Sequence, residues 1–150
     1  MIFFNPQEFL KNCQNGRLLA LDVGRVRIGV ATTDDSRKFS LPSDTINRQG
    51  NKKDFPIIKK IIEEKKIKGI IVGLPISFEE KDTESSIFIK KFTENLAKEI
   101  NLPICFQDER LTSFEAEDLM LDMIGSNRTK KVVDKISASY ILEDFLNNIK

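Results

Sequence analysis

Short apolar runs and helical stripes of apolar residues alternate along this chain. The run over 17–23 is almost wholly apolar up to Asp22, which predicts a buried strand with an acid at its carboxyl end. Segment 25–31 follows a tight turn and alternates apolar residues with small or basic ones, so the two segments are expected to pair as a hairpin. A third strand is predicted around 39–46, where Pro42 favours an edge position in the sheet.

The rest of the sequence is typical of helices that alternate with strands. Asn5 and Pro6 are residue types of a helix N-cap and first turn, and they predict a short helical extension within 1–16. The other predicted elements are helices over 54–66, 84–100 and 132–147, a helix after a capping box at 112–115, strands over 68–72 and 103–107, and loops at 77–84 and 125–131. We therefore expect a single α/β domain over 1–150, in which helices flank a mixed five-stranded sheet with an antiparallel hairpin sector and parallel strands.

Composition removes several kinds of chemistry. The 150 residues include no His, which excludes a Ser-His-Asp or Cys-His nucleophile, a His-ligated zinc site and a His general base. The net charge of +1 argues against binding through bulk positive charge. Cys13 and Cys105 have no CxxC partner, and the sequence lacks a signal peptide and an apolar run of membrane-spanning length. We expect a cytoplasmic protein with reduced thiols and no membrane partner.

Three acids occupy positions that point to a metal site. Asp22 and Glu109 each end a predicted strand, and ligands of open α/β sheets gather at that edge. Asp134 lies on the small and apolar stripe of the last helix, where an uncompensated carboxylate costs several kcal/mol. Taken singly, they also fit a turn residue, a surface ion pair and an acid at a helix N-terminus. Together, in a chain without His, they favour an oxygen-ligand site for Mg²⁺ or Mn²⁺.

At the level of motifs, the sequence resembles the YqgF/RuvX family over nearly its whole length. The motifs that carry the resemblance are Leu-Ala-Leu-Asp-Val-Gly at 19–24, Arg-Ile-Gly-Val-Ala at 27–31, Val-Gly-Leu-Pro at 72–75, Asp-Glu-Arg-Leu-Thr at 108–112 and Val-Asp-Lys at 133–135. This family has the ribonuclease H-like fold and is related to the Holliday-junction resolvase RuvC. The resemblance implies a bacterial nuclease that helps to mature the 5′ end of 16S rRNA, with ribosomal precursor particles as possible partners.

The same resemblance implies roles for individual residues. Asp22, Glu109 and Asp134 correspond by position to the acidic metal-binding triad, and Asp108 is a candidate fourth member. The expected reaction is hydrolysis of a phosphodiester bond with two Mg²⁺ or Mn²⁺ ions. The residues expected to contact the nucleic acid are basic and flank these acids in the sequence: Arg25, Arg27, Arg110, Arg128, Lys130 and Lys131.

Three other functions compete with this interpretation. Resolution of four-way DNA junctions stays open, since the family was first described in those terms. A nucleic-acid-binding factor without catalytic activity is the alternative from another class. An ATPase that holds phosphates with the Asp-x-Gly hairpin needs two lobes, which exceeds the size of one 150-residue domain.

Overall fold

A computed structural model of the protein describes residues 1–75, 83–109 and 127–150, with the side chains of 127–129 excepted. The strands in these ranges are β1 (Ile2–Phe3), β2 (Arg17–Val23), β3 (Arg27–Thr33), β4 (Ser40–Asn47), β5 (Ile67–Leu74) and β6 (Ile104–Asp108). They form one sheet in the order β1-β6-β5-β2-β3-β4. The β2–β3 and β3–β4 pairs are antiparallel, whereas β1, β6, β5 and β2 run parallel. This confirms the mixed sheet, the hairpin and the edge position of the third predicted strand.

Helices cover both faces of the sheet. The helices within the described ranges are α1 (Pro6–Lys11), α2 (Asn51–Lys65), α3 (Glu84–Glu99) and α4 (Asn127–Asn148). Asn5 caps α1 as expected, since its side chain accepts hydrogen bonds from the backbone N–H groups of Gln7 and Glu8. No helix in these ranges combines the length and the apolar character that a bilayer crossing requires.

Two sequence predictions need correction. The sheet has six described strands instead of five, because Ile2 and Phe3 pair in parallel with β6 beside Ile104 and Cys105. Two residues are too few to show a strand periodicity, so the sequence pattern could not reveal this strand. The predicted basic loop at 125–131 is helical from residue 127 onward, because α4 begins about two turns before the apolar stripe that starts at Asp134. The predicted capping box at 112–115 and the loop at 77–82 lie outside the described residues.

Successive side chains of β2 point to opposite faces of the sheet and belong to two separate core clusters. Leu19, Leu21 and Val23 belong to the cluster that packs under α2 and α3. Leu18 and Ala20 belong to the cluster that also contains the buried residues of α4. The predicted stripe on α4 is confirmed, since it is buried throughout: Ser137, Ala138, Ile141, Leu142 and Phe145 are at most 2% exposed.

The strand directions bring several strand ends together. Because β2, β5 and β6 are parallel neighbours, their carboxyl ends lie at one edge of the sheet. The β2–β3 turn and the last residues of β4 lie at this edge too, since Asn47 pairs with Arg27 at the start of β3. We refer to this region, formed by the ends of β2, β4, β5 and β6 and by the turn at 24–26, as the carboxyl edge.

Both cysteines are free thiols with low expected reactivity. Burial raises the pKa of Cys105 to about 12. Burial also raises the pKa of Cys13, although the Arg37 guanidinium beside it acts in the opposite direction. At pH 8 we expect a thiol reagent to modify Cys13 slowly and to modify Cys105 only after denaturation, since the thiolate is the nucleophile. A Cys13→Ser variant should not react while native, and fast reaction of that variant would contradict the burial of Cys105.

Candidate active site

Asp22 and Glu109 lie on either side of β5 at the carboxyl edge. Asp22 directly follows Leu21, which pairs with Val72 of β5. Glu109 directly follows β6, and its backbone N–H donates a 3.0 Å hydrogen bond to the carbonyl of Leu74. The two predicted acids are therefore brought together across a single intervening strand.

Both side chains belong to the face of the sheet that α4 covers. Asp22 continues the alternation of Leu18 and Ala20, which belong to the core cluster on that face. For Glu109 there is a direct contact, because a Cβ added to Gly73 would lie 2.7 Å from its Oε2 atom. The Glu109 side chain thus lies over Gly73. This glycine directly follows Val72, which pairs with the residue before Asp22. Glu109 is 8% exposed, which makes it a buried acid of the site.

The third acid, Asp134, lies on the same face of the sheet, where the missing side chain of Gly29 leaves room for α4. Asp22 pairs with Gly29 of β3, and a Cβ on Gly29 would overlap the backbone carbonyl of Asp134. Helix α4 therefore crosses β3 at closest approach where Asp134 is located. The structure thus brings the backbone of Asp134 over the strand residue opposite Asp22, on the face of the sheet that also carries Glu109.

Asp134 has a cationic partner within the chain. The Nε atom of Arg27 donates a 2.5 Å hydrogen bond to Oδ2 of Asp134, with the two side chains 25% and 23% exposed. A partner was expected for an acid on this helix face, and here it is a guanidinium from β3. The contact joins α4 to the hairpin and engages one oxygen of the carboxylate.

The donor set is chemically suited to a hard divalent cation. Carboxylate oxygens are the ligands that Mg²⁺ and Mn²⁺ prefer, and the Arg27 cation shows that positive charge is stabilised at Asp134. Within the described ranges, no group of three or more His, Cys, Asp or Glu side chains is arranged so that it could hold a metal ion. Residues 22, 109 and 134 each bring a carboxylate to this edge, and their oxygens are of the type that such a cation prefers.

Comparison with known proteins identifies the family. A sequence model described as "RuvX: Holliday junction resolvase" matches residues 16–148. The chain belongs to the RuvX family. The resemblance inferred from the motifs is therefore confirmed over almost the whole sequence.

Relatives of this RuvX-family chain are similar over nearly their full length. A protein of Mycoplasma mobile is 46% identical over 134 residues, which cover 88% of this chain and 92% of that protein. A protein of Rickettsia peacockii is 40% identical over 153 residues, covering 100% and 99%. Both carry the name "Putative pre-16S rRNA nuclease".

Solved structures confirm the predicted ribonuclease H-like fold. Thermus thermophilus RuvC in complex with a Holliday junction substrate superposes with a TM-score of 0.55 at 10% identity, covering 89% of this chain and 96% of RuvC. A further Thermus thermophilus RuvC structure gives a TM-score of 0.52 at 7% identity with the same coverage. At these identities the likeness establishes the fold alone.

The predicted basic residues of this RuvX-family chain have different surroundings. Arg25 is exposed in the β2–β3 turn, whereas Arg27 is engaged with Asp134. Lys130 and Lys131 are exposed on α4, about one helical turn before Asp134. Arg110 and the side chain of Arg128 lie outside the described part of the chain, and the candidate fourth acid, Asp108, is the exposed last residue of β6.

Sequence reasoning missed a buried ion pair at the same edge. Asp54 is fully buried in the first turn of α2, where it accepts hydrogen bonds from Arg48 Nε at 3.0 Å and from the Gln49 backbone N–H. Arg48 also donates a 3.4 Å bond to the carbonyl of Gly24 in the β2–β3 turn. Two features of the sequence could have indicated this pair: Arg48 directly follows β4, and Asp54 lies in the first turn of the next helix, α2. This network fixes the turn that follows Asp22.

Replacement of Arg27 by Gln is expected to lower the free energy of unfolding by about 0.5–1 kcal/mol, the range of partly exposed ion pairs. The loss arises because α4 no longer has its charged contact with β3. Urea denaturation measures it, with Arg27→Lys as the matched variant that keeps the charge but loses the planar guanidinium. Equal stability of wild type and Arg27→Gln at low salt would show that the ion pair contributes nothing.

Proposed function

We propose that this chain is a divalent-metal-dependent nuclease of the cytoplasm that hydrolyses phosphodiester bonds during maturation of the 5′ end of 16S rRNA. One observation carries the proposal: Gly29 leaves room for the α4 backbone at Asp134 opposite Asp22, and Gly73 leaves room for the Glu109 carboxylate on the same face of the sheet. The names of the full-length relatives support the precursor rRNA as substrate. Ribosomal precursor particles are the corresponding partners.

Asp22, Glu109 and Asp134 are the residues that would hold Mg²⁺ or Mn²⁺. A bound divalent cation supplies Lewis acidity, by which a water becomes a better nucleophile and the charge of the leaving oxygen is offset. The hairpin and α4 fix the relative positions of the acids, since β2 carries Asp22 and α4 packs on Gly29. Rigid elements of this kind hold catalytic groups more precisely than loops do.

The basic residues near the acids have two roles: some bind the substrate, and one positions a carboxylate. Lys130 and Lys131 are exposed near Asp134, where they can bind phosphates on either side of the cleaved bond. Arg27 holds Asp134 through Oδ2 and thereby restricts the orientation of that carboxylate. Such supporting contacts to ligating carboxylates usually matter for metal affinity. Arg27 is thus a positioning residue for Asp134 in this mechanism.

Resolution of four-way DNA junctions is the second candidate function. The description of the family model favours it, and so does the fold shared with a RuvC structure that contains a junction. A resolvase must cut two strands symmetrically, which ordinarily requires a dimer. Cleavage of a junction by a dimeric form of this protein would favour this second function.

The deciding experiment compares two substrates under the same conditions. Purified protein is incubated with a precursor 16S rRNA fragment or a four-way DNA junction, in Mg²⁺, Mn²⁺ or EDTA. Our proposal predicts metal-dependent cleavage of the RNA. Cleavage of the junction alone would assign the second function, and binding of RNA without cleavage in any metal would assign a non-catalytic binding factor.

A further inference from the structure

A cleft of about 410 Å³ lies between the first turn of α2 and helix α3. It is separate from the acids, on the face of the sheet that α2 and α3 cover. Its lining combines basic, amide and aromatic side chains with one glycine: Arg48, Gly50, Asn51, Phe88, Lys91, Phe92 and Asn95. The exposed surface of the lining is mainly apolar, with a few polar groups at its wall, which suits a flat ring that carries a charged group.

The cleft carries positive charge. No acid occurs among the described residues that line it, and Lys91 is exposed at its wall. The charge of Arg48 is offset by the buried Asp54, which holds the guanidinium in place at 3.0 Å. Gly50, the N-cap residue of α2, adds no side-chain hydrogen bond to the first turn. An anion in the cleft would therefore meet the ammonium group of Lys91, since Asp54 already supplies a negative charge to the first turn of α2.

Phe88 and Arg48 line the cleft, and Arg25, which is outside the lining, packs over the Phe88 ring. The Arg25 guanidinium carbon lies 4.6 Å from the centroid of the half-buried Phe88 ring, and that of Arg48 lies 5.7 Å from it. Arg25 remains exposed in the β2–β3 turn, so its outer side is accessible. Unpaired bases stack on arginine planes and aromatic rings, and these contacts tolerate any sequence.

The cleft lies close to the turn at 24–26, which follows Asp22 in the chain. Helix α2 starts directly after β4, whose last residue, Asn47, lies at the carboxyl edge. Arg48 contacts the Gly24 carbonyl, only two residues after Asp22. The turn at 24–26 thus has the acids on one side and the cleft on the other, and a nucleic-acid strand crossing the turn would pass both.

We propose that this cleft binds an unpaired nucleotide of the substrate strand, on the other side of the turn at 24–26 from the cleaved bond. Lys91 takes its phosphate, and the exposed plane of the Arg25 guanidinium, which packs over Phe88, takes its base by stacking. This inference rests on the proposed function, since it assumes a single-stranded nucleic-acid segment as substrate. It adds a binding site on the opposite face of the sheet from the acids.

The test measures binding separately from cleavage. Affinity for a labelled single-stranded oligoribonucleotide, and for the oligodeoxyribonucleotide of the same sequence, is determined by fluorescence anisotropy in EDTA. Lys91→Gln should weaken binding roughly tenfold and reduce the salt slope by about 0.7, the value for one phosphate contact on a single strand. The matched control is Lys98→Gln, an exposed lysine seven residues later on α3, which should bind like wild type.

A second variant separates charge from stacking. Arg25→Lys keeps the positive charge but removes the plane that stacks on Phe88, and we expect about fivefold weaker binding. Equal affinities of wild type, Lys91→Gln and Arg25→Lys would overturn the cleft proposal while leaving the nuclease proposal intact. Equal weakening by Lys91→Gln and Lys98→Gln would also overturn it. If wild type neither binds nor cleaves either nucleic acid, both proposals fail.

Discussion

Asn in place of Asp22 is expected to reduce metal-dependent cleavage at least about a thousandfold. Asp22 is the central acid, because it lies beside β5 with Glu109 on one side and pairs with Gly29 under Asp134 on the other. The amide keeps the shape of the side chain but removes the negative charge that a divalent cation requires. A thousandfold loss corresponds to about 4 kcal/mol of transition-state stabilisation, within the range ascribed to metal catalysis. Initial rates of RNA cleavage in Mg²⁺ measure the effect.

The matched control is Asp44→Asn, an equal change in charge at an exposed position of β4. It should keep wild-type rates, and both variants should melt near the wild-type temperature. Persistent cleavage by purified Asp22→Asn would mean that this acid does not take part in the chemistry. The proposed mechanism would then be wrong.

Ala in place of Gly29 is expected to damage both stability and activity. The added Cβ would overlap the carbonyl carbon and oxygen of Asp134 and lie 3.1 Å from the backbone nitrogen of Lys135. These are backbone atoms of α4, so no side chain can rotate away, and the helix must shift. We expect the free energy of unfolding to fall by about 1–3 kcal/mol, as for other overpacked cores. Cleavage should fall about a hundredfold, because a displacement of about 1 Å moves Asp134 away from the other acids.

A second variant in the same strand separates the two effects. Val30 is fully buried on the opposite face of β3, in the cluster under α2 and α3. Val30→Ala should also lower stability, by lost packing, but it leaves the contact between β3 and α4 in place. We expect its cleavage rate to stay near wild type at temperatures where it is folded. If Gly29→Ala cleaves as well as Val30→Ala, the close approach at Gly29 does not position Asp134.

Asp22 and Asp134 could be selected as candidate site residues because each one interrupts a regular pattern. Asp22 ends an apolar run, and Asp134 lies on an otherwise small and apolar helical stripe, so both are visible without a structure. Parallel strands place such ends at one edge, and the order β6-β5-β2 fulfils that condition. Local patterns were thus sufficient to select the candidate residues and the fold class.

Contacts between distant segments could not be predicted in the same way. The sequence predicts that Gly29 lies within a strand. Only the packing of α4 shows that this glycine leaves room for the backbone of Asp134. Arg27 was expected to contact phosphates, whereas the structure pairs it with Asp134, more than 100 residues away in the chain. Phe88 packs against the core from α3 and also contacts Arg25. Its contact with Arg25 depends on how α3 meets the β2–β3 turn, and a helical stripe contains no information about that.

The most direct test of the central claim is to map the cation site itself. Fe²⁺ replaces Mg²⁺, hydroxyl radicals are generated with ascorbate and peroxide, and the points of backbone cleavage are identified by mass spectrometry. If Asp22, Glu109 and Asp134 share one divalent cation, cuts should cluster near residues 22, 109 and 134, disappear with excess Mg²⁺, and be lost in Asp22→Asn. Cuts that occur only elsewhere, or that persist unchanged in Asp22→Asn, would contradict a shared metal centre at the carboxyl edge.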